Sequence, residues 1–228
     1  MFSWEKLDQR YLKLQDIVQR ELSYAAHDLD HVLRVTEMCL VLAQKEQEVD
    51  LSVLIPAALL HDIARRYEDE DVTGTVDHAL LGAEMAAPIL ADLGYDRQSI
   101  RKIQDCIRRH RFRSGAAPDT IEAKILFDAD KLDVIGAVGV ARSFIMAGIH
   151  GERMFSNVPL EDYLRDNVTE NGRIKDVAKH TVNLEYELKL KKIPERLYTA
   201  EAKKIAAGRI NYMQHFFEIL AQEIKGKR

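Results

Sequence analysis

His61 and Asp62 stand side by side in Leu59–Leu60–His61–Asp62–Ile63–Ala64–Arg65, where apolar neighbours make unpaired charge costly. One cation satisfies both an imidazole nitrogen and a carboxylate oxygen, so the pair reads as two metal ligands. His31 lines up with Val35, Met38 and Leu42 through helical steps of four, three and four, and therefore also faces inward. Asp130 aligns with Ala123, Leu126, Phe127 and Asp133, which puts a carboxylate on an otherwise apolar face. His31, His61, Asp62 and Asp130 together make a mixed nitrogen and oxygen set suited to Mn, Fe, Co, Ni or Zn, with positions left for water and substrate. His78, near Leu81, Met85 and Ile89, and His110, on the face of Ile100, Ile103 and Ile107, can approach the same centre. Each histidine alone also fits a hydrogen-bonded core position; that reading must hold for all of them at once.

The elements that carry these residues all read as helix. Apolar residues recur at spacings of three and four, and no alternating β-branched run bounded by turn pairs appears, so the fold class is all-α. Trp4, Leu7, Tyr11, Leu14 and Val18 stripe a first helix, and Asp28 or Asp30 caps a second that runs to about Gln47. Leu51 to Tyr67 is a third, about Asp77 to Leu93–Gly94 a fourth, and Asp96 to about Phe112 a fifth. Ser114–Gly115–Ala116–Ala117–Pro118 is a loop, and Thr120 with nearby Glu122 starts a helix that leads to Asp130. The glycines between Gly136 and Gly148 permit close helix contact. The polar segment from about His150 to Gly172 reads as an insertion or lid, and two further helices follow, the last roughly Glu195 to Ile224. No linker divides the 228 residues, so the expectation is one all-helical domain with its metal-binding core at about 27–145 and a helical extension at about 146–228.

Composition removes several classes of function. Apolar residues make up 46% and charged residues 31%, which disfavours disordered and low-complexity readings. No apolar run approaches the roughly 20 residues that span a bilayer, and no secretory signal opens the chain, so the expected location is the cytoplasm with no membrane partner. A net charge of -4 argues against an extended nucleic-acid surface, so any anion site must be local. Cys39 and Cys106 lie in apolar helical patterns without paired spacing and fit reduced buried thiols. Oligomerisation stays open.

The order His31, His61–Asp62, Asp130 resembles the HD-domain superfamily of metal-dependent phosphohydrolases, in particular its small bacterial branch. Arg109–His110–Arg111–Phe112–Arg113–Ser114–Gly115 and Asp128–Ala129–Asp130–Lys131–Leu132–Asp133–Val134–Ile135–Gly136 are similar to that branch's motifs, and the likeness covers roughly residues 27 to 145. It implies a helical bundle in which His31, His61, Asp62 and Asp130 bind a divalent cation (Mn, Mg, Fe, Co, Ni or Zn). Some members hold two metals with further histidines in the order of His78 and His110, notably the HD-GYP phosphodiesterases. No Gly–Tyr–Pro follows His110 here, which separates the chain from those enzymes. His78 and His110 are therefore phosphate-facing groups or ligands of a second site.

The implied activity is metal-dependent hydrolysis of a small phosphorylated metabolite, with a nucleotide as the leading substrate and either a phosphomonoester or a pyrophosphate bond as the target. A bound cation lowers a water's pKa from about 15.7 towards about 7. Asp62, His78 and His110 are the catalytic candidates. Arg65, Lys131, Arg109 and Asp133 are the candidate substrate contacts, with Arg111 and Arg113 beside them; Lys131 and Asp133 fit charge pairing equally well. Arg65 stands where some nucleotidase relatives carry a carboxylate, so no general base is assigned. Two rivals remain: a di-iron HD-fold oxygenase using the six-residue order, and a non-catalytic helical regulator stabilised by metal.

Overall fold

A computed structural model describes residues 8–22, 29–111, 117–170 and 172–227. Eleven α-helices account for most of them, and their only β pairings are two isolated bridges, Arg153 with Thr181 and Val168 with Ile174, so the all-α expectation holds. No single helix among the described residues is long and apolar enough to cross a membrane. The chain falls into two compact units. One reaches to Asp130 and includes Tyr198–Ala202; the other holds Lys131–Leu197 and the chain from Lys203 onward.

The first unit is built around α3 (Leu51–Leu60), against which α1 (Gln9–Glu21), α2 (Leu29–Ala43) and α6 (Arg97–Arg109) pack. Every residue from Val53 to Leu60 is buried, so α3 is apolar on all sides rather than on one stripe. Asp50 caps it by accepting the Ser52 N–H, and the Asp50 N–H is held by Glu122 at 2.8 Å. Glu122 thus ties α3 to α7 (Ile121–Asp133), whose own start is capped by Thr120 Oγ accepting the Ala123 N–H.

The expected helix from Leu51 to Tyr67 is two. α3 stops at Leu60, the chain turns through His61–Ala64 with i to i+3 bonds, and α4 (Arg65–Glu70) begins afresh. The second helix likewise ends at Ala43 rather than Gln47. α5 (His78–Asp92) is capped by Asp77, and Gly94 follows its end with φ of 80°, the left-handed conformation that glycine adopts at least cost. Trp4, Leu7, Asp28, Phe112, Arg113 and residues 114–116 lie outside the described residues. Cys39 and Cys106 are free, buried thiols, and burial pushes both thiol pKa values up.

The second unit contains α8 (Gly136–His150), α9 (Leu160–Asn167), α10 (Val182–Leu188), a 3-10 turn at Leu190–Arg196 and most of α11 (Ala200–Ile224). The last helix therefore starts at Ala200, after the 3-10 turn that occupies its expected beginning. At Gly136, φ is 79° and an added Cβ would stand 2.9 Å from Arg209 Cγ, so glycine is required there for both conformation and contact. The expected lid segment contains α9, held by paired bonds between the Asn167 amide and the Asp176 backbone and by Tyr163 OH 2.8 Å from His180 Nδ1.

Candidate metal centre

Two of the central histidines sit at helix C-termini and use the same local device. His61 follows α3 and its Nδ1–H donates to the Ala58 carbonyl at 2.7 Å; His110 follows α6 and its Nδ1–H donates to the Ile107 carbonyl at 2.6 Å. Carbonyls in the last turn of a helix lack an intrahelical donor, so the rings satisfy them and are fixed in turn. In the tautomer that makes these bonds the proton sits on Nδ1 and Nε2 is left to act as an acceptor or a metal ligand. His78 opens α5, and its Nδ1–H donates to Glu68, which also accepts the His78 backbone N–H at 3.1 Å. A third Nε2 is thereby left bare.

These nitrogens converge on the two oxygens of Asp62. Oδ2 lies 3.6 Å from His31 Nε2 and 3.8 Å from His61 Nε2, while Oδ1 lies 3.3 Å from His78 Nε2 and 3.5 Å from His110 Nε2. Asp130 Oδ1 stands 3.5 Å from His31 Nε2. Within each pair the Nε2 atoms are close, 3.4 Å for His31 and His61 and 3.2 Å for His78 and His110. The rings of His61 and His110, 5.1 Å apart, join the two pairs. All of these side chains are buried, Asp130 being the most exposed at 9%.

His78 Nε2, His110 Nε2 and Asp62 Oδ1 stand 3.2–3.5 Å from one another, three atoms of the kind that bind a cation. Two donors bound to one cation at about 2.1 Å each stand roughly 3.0–3.4 Å apart, close to the spacings within both histidine pairs. The donor chemistry therefore fits a divalent ion in two groups that share Asp62: His31, His61 and Asp62, and Asp62, His78 and His110.

Two of the rings, His61 and His78, stay neutral near neutral pH. Burial pushes His61 and His78 down to about 4, outweighing the opposing pull of the Asp62 carboxylate. Unfolded histidine titrates near 6.5. The unfolded chain thus takes up protons first as pH falls, and stability that is full above about pH 6.5 is lost towards pH 4, by a few kcal/mol for the two rings. Thermal melts of metal-free protein should show Tm dropping steeply between pH 6.5 and 4.5; a flat profile would mean that the rings titrate in the fold as they do in the unfolded chain.

The remaining sequence candidates are placed as follows. Arg65 lies beside the second group, with Nη1 3.3 Å from His78 Nδ1 and Nη2 3.2 Å from Asp69. Arg109 is turned to Asp105, to the Ala117 carbonyl and to Asp119. Arg111 bonds Glu68 at 2.6 Å and Asp77 at 2.9 Å. Lys131 and Asp133 belong to the second unit, where Asp133 is buried in an ion pair with Arg142 at 2.5 Å. Sequence reasoning missed Glu68, which sits in an acidic run, and Asp128, which is fully buried and accepts from the backbone N–H groups of Tyr198 and Thr199 and from Thr199 Oγ.

Residues 28–135 match the HD domain family. An uncharacterised protein of Bacillus subtilis, YpgQ, is 29% identical over 217 residues, covering 93% of this chain and 91% of its own. The crystal structure of YpgQ in complex with ADP superposes with a TM-score of 0.71 over 94% of this chain and 95% of that one, at 22% identity. A predicted HD superfamily hydrolase from an uncultured Thermotogales bacterium superposes with a TM-score of 0.62 at 29% identity, covering 93% and 91%. The matched segment spans every residue of the two histidine and aspartate groups, so the chain carries an HD domain over residues 28–135.

Proposed function

We propose that the protein is a divalent-metal-dependent phosphohydrolase acting on a nucleotide. The observation that carries this reading is the convergence of His78 Nε2, His110 Nε2 and Asp62 Oδ1, three metal-binding atoms within 3.2–3.5 Å of one another in a buried site. In this reading His31, His61, Asp62 Oδ2 and Asp130 hold one ion, and Asp62 Oδ1, His78 and His110 hold a second. Bound ions supply charge neutralisation for phosphoryl oxygens and an acidified water. The protein's own part is to hold both oxygens of Asp62 between the two groups and to keep His61 and His78 neutral by burial. Arg65 is suited to a phosphoryl oxygen, because its buried Nε lacks a hydrogen-bond partner.

The nucleotide is supported by the ADP bound to YpgQ, whose fold this chain shares. A panel of nucleoside mono-, di- and triphosphates with Mn or Mg should yield inorganic phosphate or pyrophosphate. Turnover should vanish with chelator and return with added metal. Release of neither product across the panel removes the nucleotide reading.

The division of Asp62 between two histidine pairs also accommodates two irons, the requirement of an HD-fold oxygenase. Anaerobic iron loading followed by optical spectroscopy separates the readings: fewer than two irons per chain excludes the oxygenase.

A further inference from the structure

Glu68 differs from the three acids that follow it. Asp69 pairs with Arg65, Glu70 pairs with Arg66, and Asp71 turns back on its own loop to accept from Thr73, Thr75 and Val76. Glu68 alone turns towards the histidines. Its Oε2 takes both N–H groups of His78 and its Oε1 takes Arg111 Nη2 at 2.6 Å, so both oxygens are committed to protein donors. Arg111 also bonds Asp77 at 2.9 Å. Arg111 follows His110 and Asp77 precedes His78 in the chain, so this network ties together the flanks of both rings of the second group.

His78 differs from His61 and His110 in what its Nδ1 meets. The Nδ1–H groups of His61 and His110 donate to neutral carbonyls, whereas that of His78 donates to a carboxylate. A carboxylate behind an imidazole fixes its tautomer and raises the basicity of the opposite nitrogen. We propose that Glu68, anchored by Arg111, is a positioning residue that holds His78 as the Nδ1–H tautomer and so creates the second cation position. The inference rests on the two-ion reading above. Glu68 reaches the cation only through His78 and does not itself bind it.

The test is metal analysis of Mn-titrated protein together with ¹⁵N NMR of histidine-labelled protein. Wild type should take up two ions per chain and show His78 protonated at Nδ1. Glu68→Ala should bind the second ion about ten to a hundredfold more weakly and mix the His78 tautomers, while the first ion is retained at unchanged affinity. Glu68→Gln keeps an oxygen acceptor for His78 and should restore most of the second affinity. One ion or none in wild type overturns the two-ion reading, and the inference with it. Two ions in wild type and two equally tight ions in Glu68→Ala overturn the assignment of Glu68 alone. Should Glu68→Ala fail to fold, wild type still decides, because His78 protonated at Nε2 contradicts the proposal directly.

Discussion

Asp62→Asn should cut hydrolysis by about a thousandfold or more while leaving the metal-free protein at least as stable as wild type. The carboxylate stands between both histidine pairs, and asparagine keeps its shape while exchanging one oxygen for an NH₂ group. That NH₂ donates to one pair of bare Nε2 atoms, filling the place of a cation with a hydrogen bond. Loss of the charge stabilisation that a bound ion supplies is worth several kcal/mol at the transition state, and each 1.36 kcal/mol is tenfold in rate. In the metal-free fold the same NH₂ gives those nitrogens a donor, so Tm in chelator should hold or rise. Turnover within tenfold of wild type, or a sharp fall in metal-free Tm, would sink the role given to Asp62.

Asp128→Ala should have the largest effect on stability. The buried carboxylate accepts the Tyr198 N–H at 2.9 Å, the Thr199 N–H at 2.7 Å and the Thr199 hydroxyl at 2.8 Å. Thr199 Oγ in turn receives the Ala202 N–H in the first turn of α11. Alanine orphans the buried Thr199 N–H and the part-buried Tyr198 N–H, at about 1–3 kcal/mol each, and frees the hydroxyl that caps the helix. A loss of roughly 3–5 kcal/mol corresponds to a Tm about 10 °C lower or more for a chain of this size. Asp128→Asn retains one acceptor and should lose about half as much. Calorimetry that finds Asp128→Ala within 2 °C of wild type would refute the account.

Helical periodicity made the inward faces of His31 and Asp130 legible, and the adjacent His61–Asp62 pair marked the centre. The break after Leu60 was not legible, because Leu51–Tyr67 keeps an apolar pattern and contains no glycine at the break. What ends α3 is a side-chain event, the His61 ring taking the Ala58 carbonyl, and composition carries no trace of it. His78 and His110 were recognised as neighbours of the centre, but the division of Asp62 between the two pairs depends on χ angles that spacing does not encode. Glu68 was hidden for a different reason. It is one of four consecutive acids, and only the packing of α4 on α5 distinguishes the one that turns inward. Arg111, named beside the candidate substrate contacts, is held by half-buried acceptors on two sides. Asp128 was quoted within a motif, yet its partners lie about seventy residues away in the chain.

The all-round burial of α3 has a consequence for how the centre fluctuates. Amide exchange of a segment proceeds through whatever opening exposes it, and a helix with no solvent-facing side opens only when its surroundings do. The amides of Ile55 and of Ala57 to Asp62 should then exchange at rates set by global unfolding, making the metal-bearing dipeptide part of the slowest-exchanging foldon rather than of a breathing rim.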